Sequence, residues 1–422
     1  MSDSRGSEGR RALALLAYVN LMYLLGWSSY KYFVPLYLKQ VGAPVASLGL
    51  LFAGISLSSA AGAYLWGRLV DRLGGRASLS ASLTLSSLLV LSLTYSHSWL
   101  ALSAIFLLLP LAQAGRGIAA QVLAFDHAAG KRATGMSLVF LPSRAALIVG
   151  PSVGGALISC MGGYRAVFSV ASALMGLSLL GVILLPPGAR QSGYTMSQLS
   201  GPGGLMSTRL RDLLRGEFGA YTVASALGRA LSYSLLGPYL VVYMKDVLGM
   251  DEWLIGAANS LESGLALTTQ VPGGLLADRL GLRRSLVALS FASYPASLAL
   301  IYVSRGPWLA VLGKALSGSV EGIAAGAELA YQLEILPEDR RGEGLGLYRS
   351  VHHAASALGN VSGGALLLRV GEVARLFPIG ILLGVAGVAA FLSTGGVRRG
   401  AAGGASGLQA CGTYICRTSH IL

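Results

Sequence analysis

Cysteine is nearly absent: the 422-residue chain has three, Cys160, Cys411 and Cys416. Three such residues build no disulfide framework. Cys411, Cys416 and His420 come closest to a metal-ligand set, but they sit in a Gly/Ala/Ser-rich tail with no fourth donor nearby. That tail reads as disordered chain, and neither a metal nor a cofactor is expected. His352 and His353 are adjacent, so on a helix they point about 100° apart and cannot ligate one ion together. Charge is also scarce, at 12% of residues, and acids are scarcer than bases, 18 against 32. The resulting net charge of +14 raises nucleic acid as a partner. That partner needs a basic face on a soluble domain, whereas these Lys and Arg sit in short clusters between apolar runs, so no nucleic acid is expected. No G-x-x-x-x-G-K-[ST] stretch occurs, which excludes a P-loop and points to a gradient as the source of energy. No Ser/His/Asp set or ligand cluster emerges either, so the chain does not read as an enzyme.

Apolar sequence is what the chain has in abundance. It is 54% hydrophobic, with a mean hydropathy of +0.64, and the bilayer is the natural solvent for that composition. A spanning helix needs about 20 mostly apolar residues. That ruler finds spans near 12–36, 46–66, 77–96, 99–123, 136–160, 165–186, 217–243, 254–273, 285–304, 308–332, 345–368 and 374–394. The expected class is therefore an all-α integral membrane protein with twelve transmembrane helices. Its organisation reads as a polar N-terminal tail (1–11), a six-helix bundle (12–186), a polar Gly/Ser/Pro-rich linker (187–215), a second six-helix bundle (216–394) and a C-terminal tail (395–422). The first run is too long for a cleaved signal and is expected to stay as a span.

Basic residues orient the chain. With the N-terminus cytoplasmic, the cytoplasmic segments carry about twenty Lys and Arg, and the other side carries six: Lys39, Arg165, Lys245, Arg305, Arg369 and Arg375. Both termini and the linker are thus expected inside, in a cell membrane. Inside, too, are two copies of one charged cassette, "GRLVDRLGGR" from Gly67 and "GLLADRLGLR" from Gly274. "RGIAA" at Arg116–Ala120 answers "EGIAA" at Glu321–Ala325, and "GPSVGGAL" at Gly150–Leu157 answers "GNVSGGAL" at Gly359–Leu366. Three matches in one order at nearly one offset indicate a duplicated six-helix unit. An even number of helices per unit relates the copies by an axis along the membrane normal.

On these residues the chain resembles the major facilitator superfamily (MFS) of secondary transporters over residues 11–394. The family's loop 2–3 signature, G-x-x-x-D-R-x-G-R-R/K, is met by Gly67, Asp71, Arg72, Gly74 and Arg76, with Gly75 displacing one basic residue. The loop 8–9 copy is fuller: Gly274, Asp278, Arg279, Gly281, Arg283 and Arg284. The family's helix 5 signature, G-x-x-x-G-P-x-x-G-G, is associated with proton-coupled exporters. Gly150, Pro151, Gly154 and Gly155 match it, and Ala146 replaces its first glycine. The resemblance implies two six-helix bundles rocking about a midplane site, with helices 1, 4, 7 and 10 around the cavity. It also implies that the loop 2–3 Asp latches the cytoplasmic side against the N-terminal end of helix 11. The arginines of the cassettes serve insertion equally well.

Ionisable groups at membrane depth cost several kcal/mol unless paired or wet, which makes them functional pointers. On the tenth span Lys314, Glu321 and Glu328 are spaced by seven and form one stripe on one face. A charged stripe must meet a cavity or a partner. With Lys31, Arg116 and Arg229 it is expected around one space, Arg116 facing Glu321 across the pseudo-two-fold axis, and Glu262 is a further acid. One of Glu262, Glu321 and Glu328 is expected to exchange a proton, with nearby cations tuning it or binding an anionic substrate. The bland alternative is a set of buried salt bridges that holds helices in register. Arg144 and His353 occupy matching repeat positions and are expected to meet at the gating interface. In "GWSSYKYFVPLYL", Gly26–Leu38, the aromatics suit substrate stacking and the interfacial belt equally, and for Tyr37, near the outer end, the belt is the better reading.

Three readings stay open. One is proton-coupled export of small hydrophobic or drug-like compounds. The second is proton-coupled movement of organic or inorganic anions, and the third is a membrane sensor that binds without flux. The expected partners are a small-molecule substrate, protons and lipid; the oligomeric state is not legible.

Overall fold

The computed structural model describes residues 2–127, 132–161, 163–186, 216–336 and 341–394; for 2–8, 71, 125–126, 132–138, 280 and 341–343 it describes the backbone alone. The linker expected at 187–215, the C-terminal tail with Cys411, Cys416 and His420, and the side chain of Asp71 lie outside the described residues.

Every regular element among the described residues is helical. In the first half these are α1 (Ser2–Lys31), α2 (Val34–Gln40), α3 (Ser47–Leu73), α4 (Gly75–Tyr95), α5 (Trp99–His127), α6 (Arg132–Met161) and α7 (Tyr164–Ile183). The second half holds α8 (Glu217–Ser225), a π-helical turn (Ala226–Leu231), α9 (Ser232–Asp246), α10 (Glu252–Leu280), α11 (Arg283–Tyr302), α12 (Pro307–Glu334), α13 (Arg341–Val370), a 3-10 turn (Val373–Arg375) and α14 (Leu376–Ser393). They make the twelve expected passes. The first is α1 plus α2, broken before Pro35, which lacks the N–H that would continue the helix. The seventh is α8, the π turn and α9 in sequence.

At the N-terminus α1 begins at Ser2, so residues 2–11 continue the helix of the first pass. Eight helices among the described residues are long and apolar enough to cross a membrane on composition alone. The passes that fall short are the seventh, eighth, tenth and eleventh, all in the second half. The seventh is divided by its π turn, and the other three carry polar groups that face the protein interior.

Within the first half α1 packs on α6 and α7, α3 on α5, and α4 on both α5 and α7. Within the second, α10 packs on α12, α11 on α12 and α14, and α9 on α13. The halves meet where α6 lies along α10 and α3 along α13. α6 and α13 carry the repeated glycine signatures, and the glycines explain the contact. A Cβ on Gly150 would stand 1.8 Å from Ser28 Oγ, and one on Gly154 only 1.7 Å from the Ser29 carbonyl oxygen. Those two glycines seat α6 on α1. Gly155 faces the other half, where a Cβ would stand 2.3 Å from the Glu252 carbonyl oxygen. α13 repeats the device: Gly359 and Gly363 admit Leu231 and Leu235 of the seventh pass, and Gly364 admits Ala46 of the first half. Small residues here let backbones touch.

At this end the halves are also tied by an ion pair between Lys39 and Asp246 and by Tyr164, whose hydroxyl donates to Glu252 Oε1 at 2.9 Å. Tyr37 is buried against Tyr164 and Phe168, with ring centroids 5.5 and 5.1 Å away. It is a packing residue, not a member of an interfacial belt, because α2 turns it into the bundle.

Both cassettes lie at the opposite end. Each turns on a glycine with positive φ, Gly74 at 84° and Gly281 at 62°, a conformation that costs other residues strain. Their described contacts stay within their own halves. Arg76 donates to the Ile183 carbonyl at 2.9 Å. Arg283 donates to Asp278 at 3.0 Å and pairs with Glu334, and Arg284 reaches Thr394 Oγ1 at 3.4 Å. A methyl group on Gly67 or on Gly274 would meet nothing within 4 Å. Arg72 and Arg279 are exposed.

Candidate functional site

Between the halves lies a cavity of about 790 Å³, within the range of pockets that hold drug-sized ligands. Its wall draws on α1, α6, the seventh pass and α10 to α13. On α6 the lining residues, 144–148, precede the glycine closure; on α13, 348–356 precede it; on α10, 262–270 follow it. Given the directions of these helices, the cavity sits on the cassette side of the seal.

The α12 stripe behaves differently at each of its three positions. Lys314 is buried and pairs with Glu262 of α10 at 2.5 Å, the two side chains being 7% and 18% exposed. Glu328 pairs with Arg229 and also accepts from the Tyr221 hydroxyl at 2.9 Å. Glu321, midway between them, lines the cavity and has no hydrogen-bond or ion-pair partner among the described residues. It lies within electrostatic reach of Glu262, Arg229, Glu328 and Lys314. An exposed carboxylate with no ion-pair partner in the cavity is open to proton exchange in a way that its paired neighbours are not.

Arg229 belongs to the π turn, where one extra residue per turn re-aims side chains relative to a regular helix. Around it runs a polar network. Gln332 Nε2 donates to the Tyr221 hydroxyl at 2.9 Å, Tyr221 stacks on Tyr348 at 5.8 Å, and Ser225 Oγ bonds both Tyr348 and His352, at 3.0 and 2.7 Å.

Two further cations face the cavity unpaired. The Lys31 ammonium lies over the rings of Trp27 and Tyr32, 4.3 and 4.4 Å from their centroids, contacts that hold a desolvated cation without an acid. Arg144 is exposed to the space and has no ion-pair partner among the described residues.

Several expected placements change. Arg116 is not among the cavity residues. It is held inside the first half, donating to Asn20 Oδ1 at 2.5 Å and lying 4.6 Å from the Tyr23 ring centre, so it does not face Glu321. The fourth pass therefore yields its expected place on the wall to the fifth, and α10 and α13 supply much of the rest. On α13 it is His352, not His353, that lines the cavity, because adjacent helical residues diverge by about 100°. Arg144 consequently meets open space instead of His353. The wall also includes Tyr32, Tyr233, Tyr294 and Tyr348, of which only Tyr32 falls in a stretch singled out by sequence. The four-residue step from Tyr348 to His352 is a one-face signal that was there to be used.

Comparison with known proteins agrees with this architecture. The profile described as Major Facilitator Superfamily matches residues 16–218 and 222–410. Over 168 residues the chain is 30% identical to the inner membrane transport protein YajR of Escherichia coli K12, a stretch covering 40% of this chain and 36% of YajR. The chain thus matches about a third of the length of that relative. Among solved structures, the nucleoside transporter NupG superposes with a TM-score of 0.73 at 14% identity, covering 91% of this chain and 98% of NupG. A bacterial homologue of the human lysosomal transporter Spinster, in an inward-facing and occupied conformation, superposes at 0.69 with 14% identity, covering 91% and 96%. Those identities speak for the fold alone. The profile spans most of the chain, and with the duplicated cassettes, the twelve passes and the cavity between paired bundles it makes the chain a multi-pass membrane transport protein of the Major Facilitator Superfamily.

Proposed function

We propose that this transporter is proton-coupled, works by alternating access, and exports small amphiphilic organic compounds from the cytoplasm across a cell membrane. The observation that carries the reading is Glu321: an acid without a partner among the described residues, in a cavity sealed at one end, beside two carboxylates that are already paired. A group that exchanges protons must be accessible and free to change charge without breaking a structural ion pair. Glu321 meets both conditions, and Glu262 and Glu328 meet neither, so the coupling role falls to Glu321. Lys314, Glu262, Arg229 and Glu328 then hold α10, α12 and the seventh pass in register around it.

With the basic cassettes inside, the cavity lies toward the cytoplasm, which is where an exporter loads. The glycine signature itself carries no direction, because close backbone approach accounts for every glycine in it. The wall is rich in Ser, Tyr and charge, which favours polar amphiphiles over purely hydrophobic drugs.

The test is substrate-elicited proton movement in proteoliposomes, with Glu321→Gln beside the wild type. Coupling is expected to vanish in the variant while substrate binding persists. If pH-gradient-driven transport continues at the wild-type rate, Glu321 is not the coupling site.

A further inference from the structure

We infer that the transported compound is an organic anion with a flat body, whose acid group is held by Lys31 and Arg144 on the first-half wall of the cavity. The inference rests on the transporter reading above and adds the substrate class to it.

The argument is a count of charges left over after pairing. Arg229 is committed to Glu328 and Lys314 to Glu262. Among the described residues, what remains on the wall is Lys31 and Arg144 from the first half and Glu321 from the second. With Glu321 ionised, the cavity holds one positive charge in surplus; with Glu321 protonated, it holds two. An anion is therefore the electrostatic complement in both protonation states, and a cation is the complement in neither. Pairing an anion with Lys31, which is held only by ring contacts, also supplies the counter-charge that a half-buried ammonium lacks. The guanidinium of Arg144 offers a planar fork that suits a carboxylate or phosphate, and Lys31 adds a point charge.

The body of the ligand is read from the rest of the wall. Tyr233 and Tyr294 stand 5.4 Å apart between ring centroids, and Tyr32 and Tyr348 line the same space. Rings of this kind take a flat partner by offset or edge contact. Ser263 lines the same space and suits a polar substituent, whereas the Ser290 and Ser293 hydroxyls donate to carbonyls of their own helix and offer only acceptor capacity.

The test uses the purified full-length chain in a low-chloride buffer, with thermal shift and calorimetric binding. The probes are benzoate, 4-hydroxybenzoate and phenyl phosphate, against benzamide, benzylamine and inorganic phosphate. Stabilisation is expected from the three aromatic anions and not from the other three. Arg144→Gln and Lys31→Gln are each expected to weaken anion binding at least tenfold, and Arg144→Lys to weaken it less than Arg144→Gln. Arg144 is exposed, so its variants test binding without threatening the fold. No shift from any aromatic anion at millimolar concentration overturns the inference, as does undiminished binding in both Gln variants. Equal binding of inorganic phosphate and phenyl phosphate overturns the flat-body part. If benzylamine binds and drives proton movement while the anions do nothing, the substrate class is wrong and the proton-coupled transporter stands.

Discussion

Gly155 and Gly364 occupy matching positions in the two repeats, and each sets a bare Cα against a backbone carbonyl of the opposite half, Glu252 for one and Ala46 for the other. The closure of the cavity is thus built twice from one device. A Cβ would stand 2.3 Å from its oxygen at Gly155 and 2.6 Å at Gly364. Gly155→Val and Gly364→Val are each expected to disfavour this sealed state by about 1–3 kcal/mol, shifting the ratio of states about 5- to 150-fold. Spin-label distances between the two halves at this end report it, and a distribution unchanged from wild type in both variants speaks against the seal.

The Lys39–Asp246 pair spans the same interface but is exposed at 39% and 37%. Exposed ion pairs contribute about 0–1 kcal/mol. Lys39→Ala is therefore expected to shift the same distances far less than either glycine variant, and high salt to mimic it. A Lys39→Ala effect larger than that of Gly155→Val would put the seal in the side chains instead.

Lys314 and Glu262 form the most buried ion pair described between two helices. Lys314→Met leaves an uncompensated carboxylate and is expected to cost about 3–5 kcal/mol of stability, whereas Lys314→Met with Glu262→Gln recovers most of it. Thermal unfolding in detergent measures both. A double variant no more stable than the single one removes the pairing from the account.

Gly67 lies in mid-helix with open space around it. Gly67→Ala is expected to leave stability unchanged or raise it by about 0.5–1 kcal/mol, and yet to slow transport if the cassettes close against α13 in the alternate state. The same latch makes Asp71→Asn slow transport in correctly inserted protein. Normal turnover in both variants removes the latch and leaves the cassettes with their topogenic role.

Much of this was legible in the chain because it depends on local pattern. Span positions follow from runs of apolar residues. The duplication follows from cassettes and glycine signatures at nearly equal offsets, and the single face of Lys314, Glu321 and Glu328 follows from helical periodicity. What periodicity does not carry is which neighbour each position meets. The stripe ends at Glu262 on one side and at Arg229 on the other, and only three-dimensional packing leaves Glu321 between them without a partner. Arg116 shows the limit of repeat symmetry. It matches Glu321 in sequence, but Asn20 and Tyr23 satisfy it inside its own bundle. The π turn that aims Arg229 has no sequence mark in "ALGRAL", and the choice of His352 over His353 turns on helix rotation alone.

Because the seal is mostly peptide against peptide at Gly155 and Gly364, its strength there comes from backbone shape. Salt and pH act at its rim, on the Lys39–Asp246 pair and on Glu252 with its partners Lys245 and Tyr164. The compartment that the sealed end faces can swing widely in salinity with little effect on the closure, because the exposed pair contributes only about 0–1 kcal/mol. Closure at that end is a matter of shape before charge, and the shape is written in glycine.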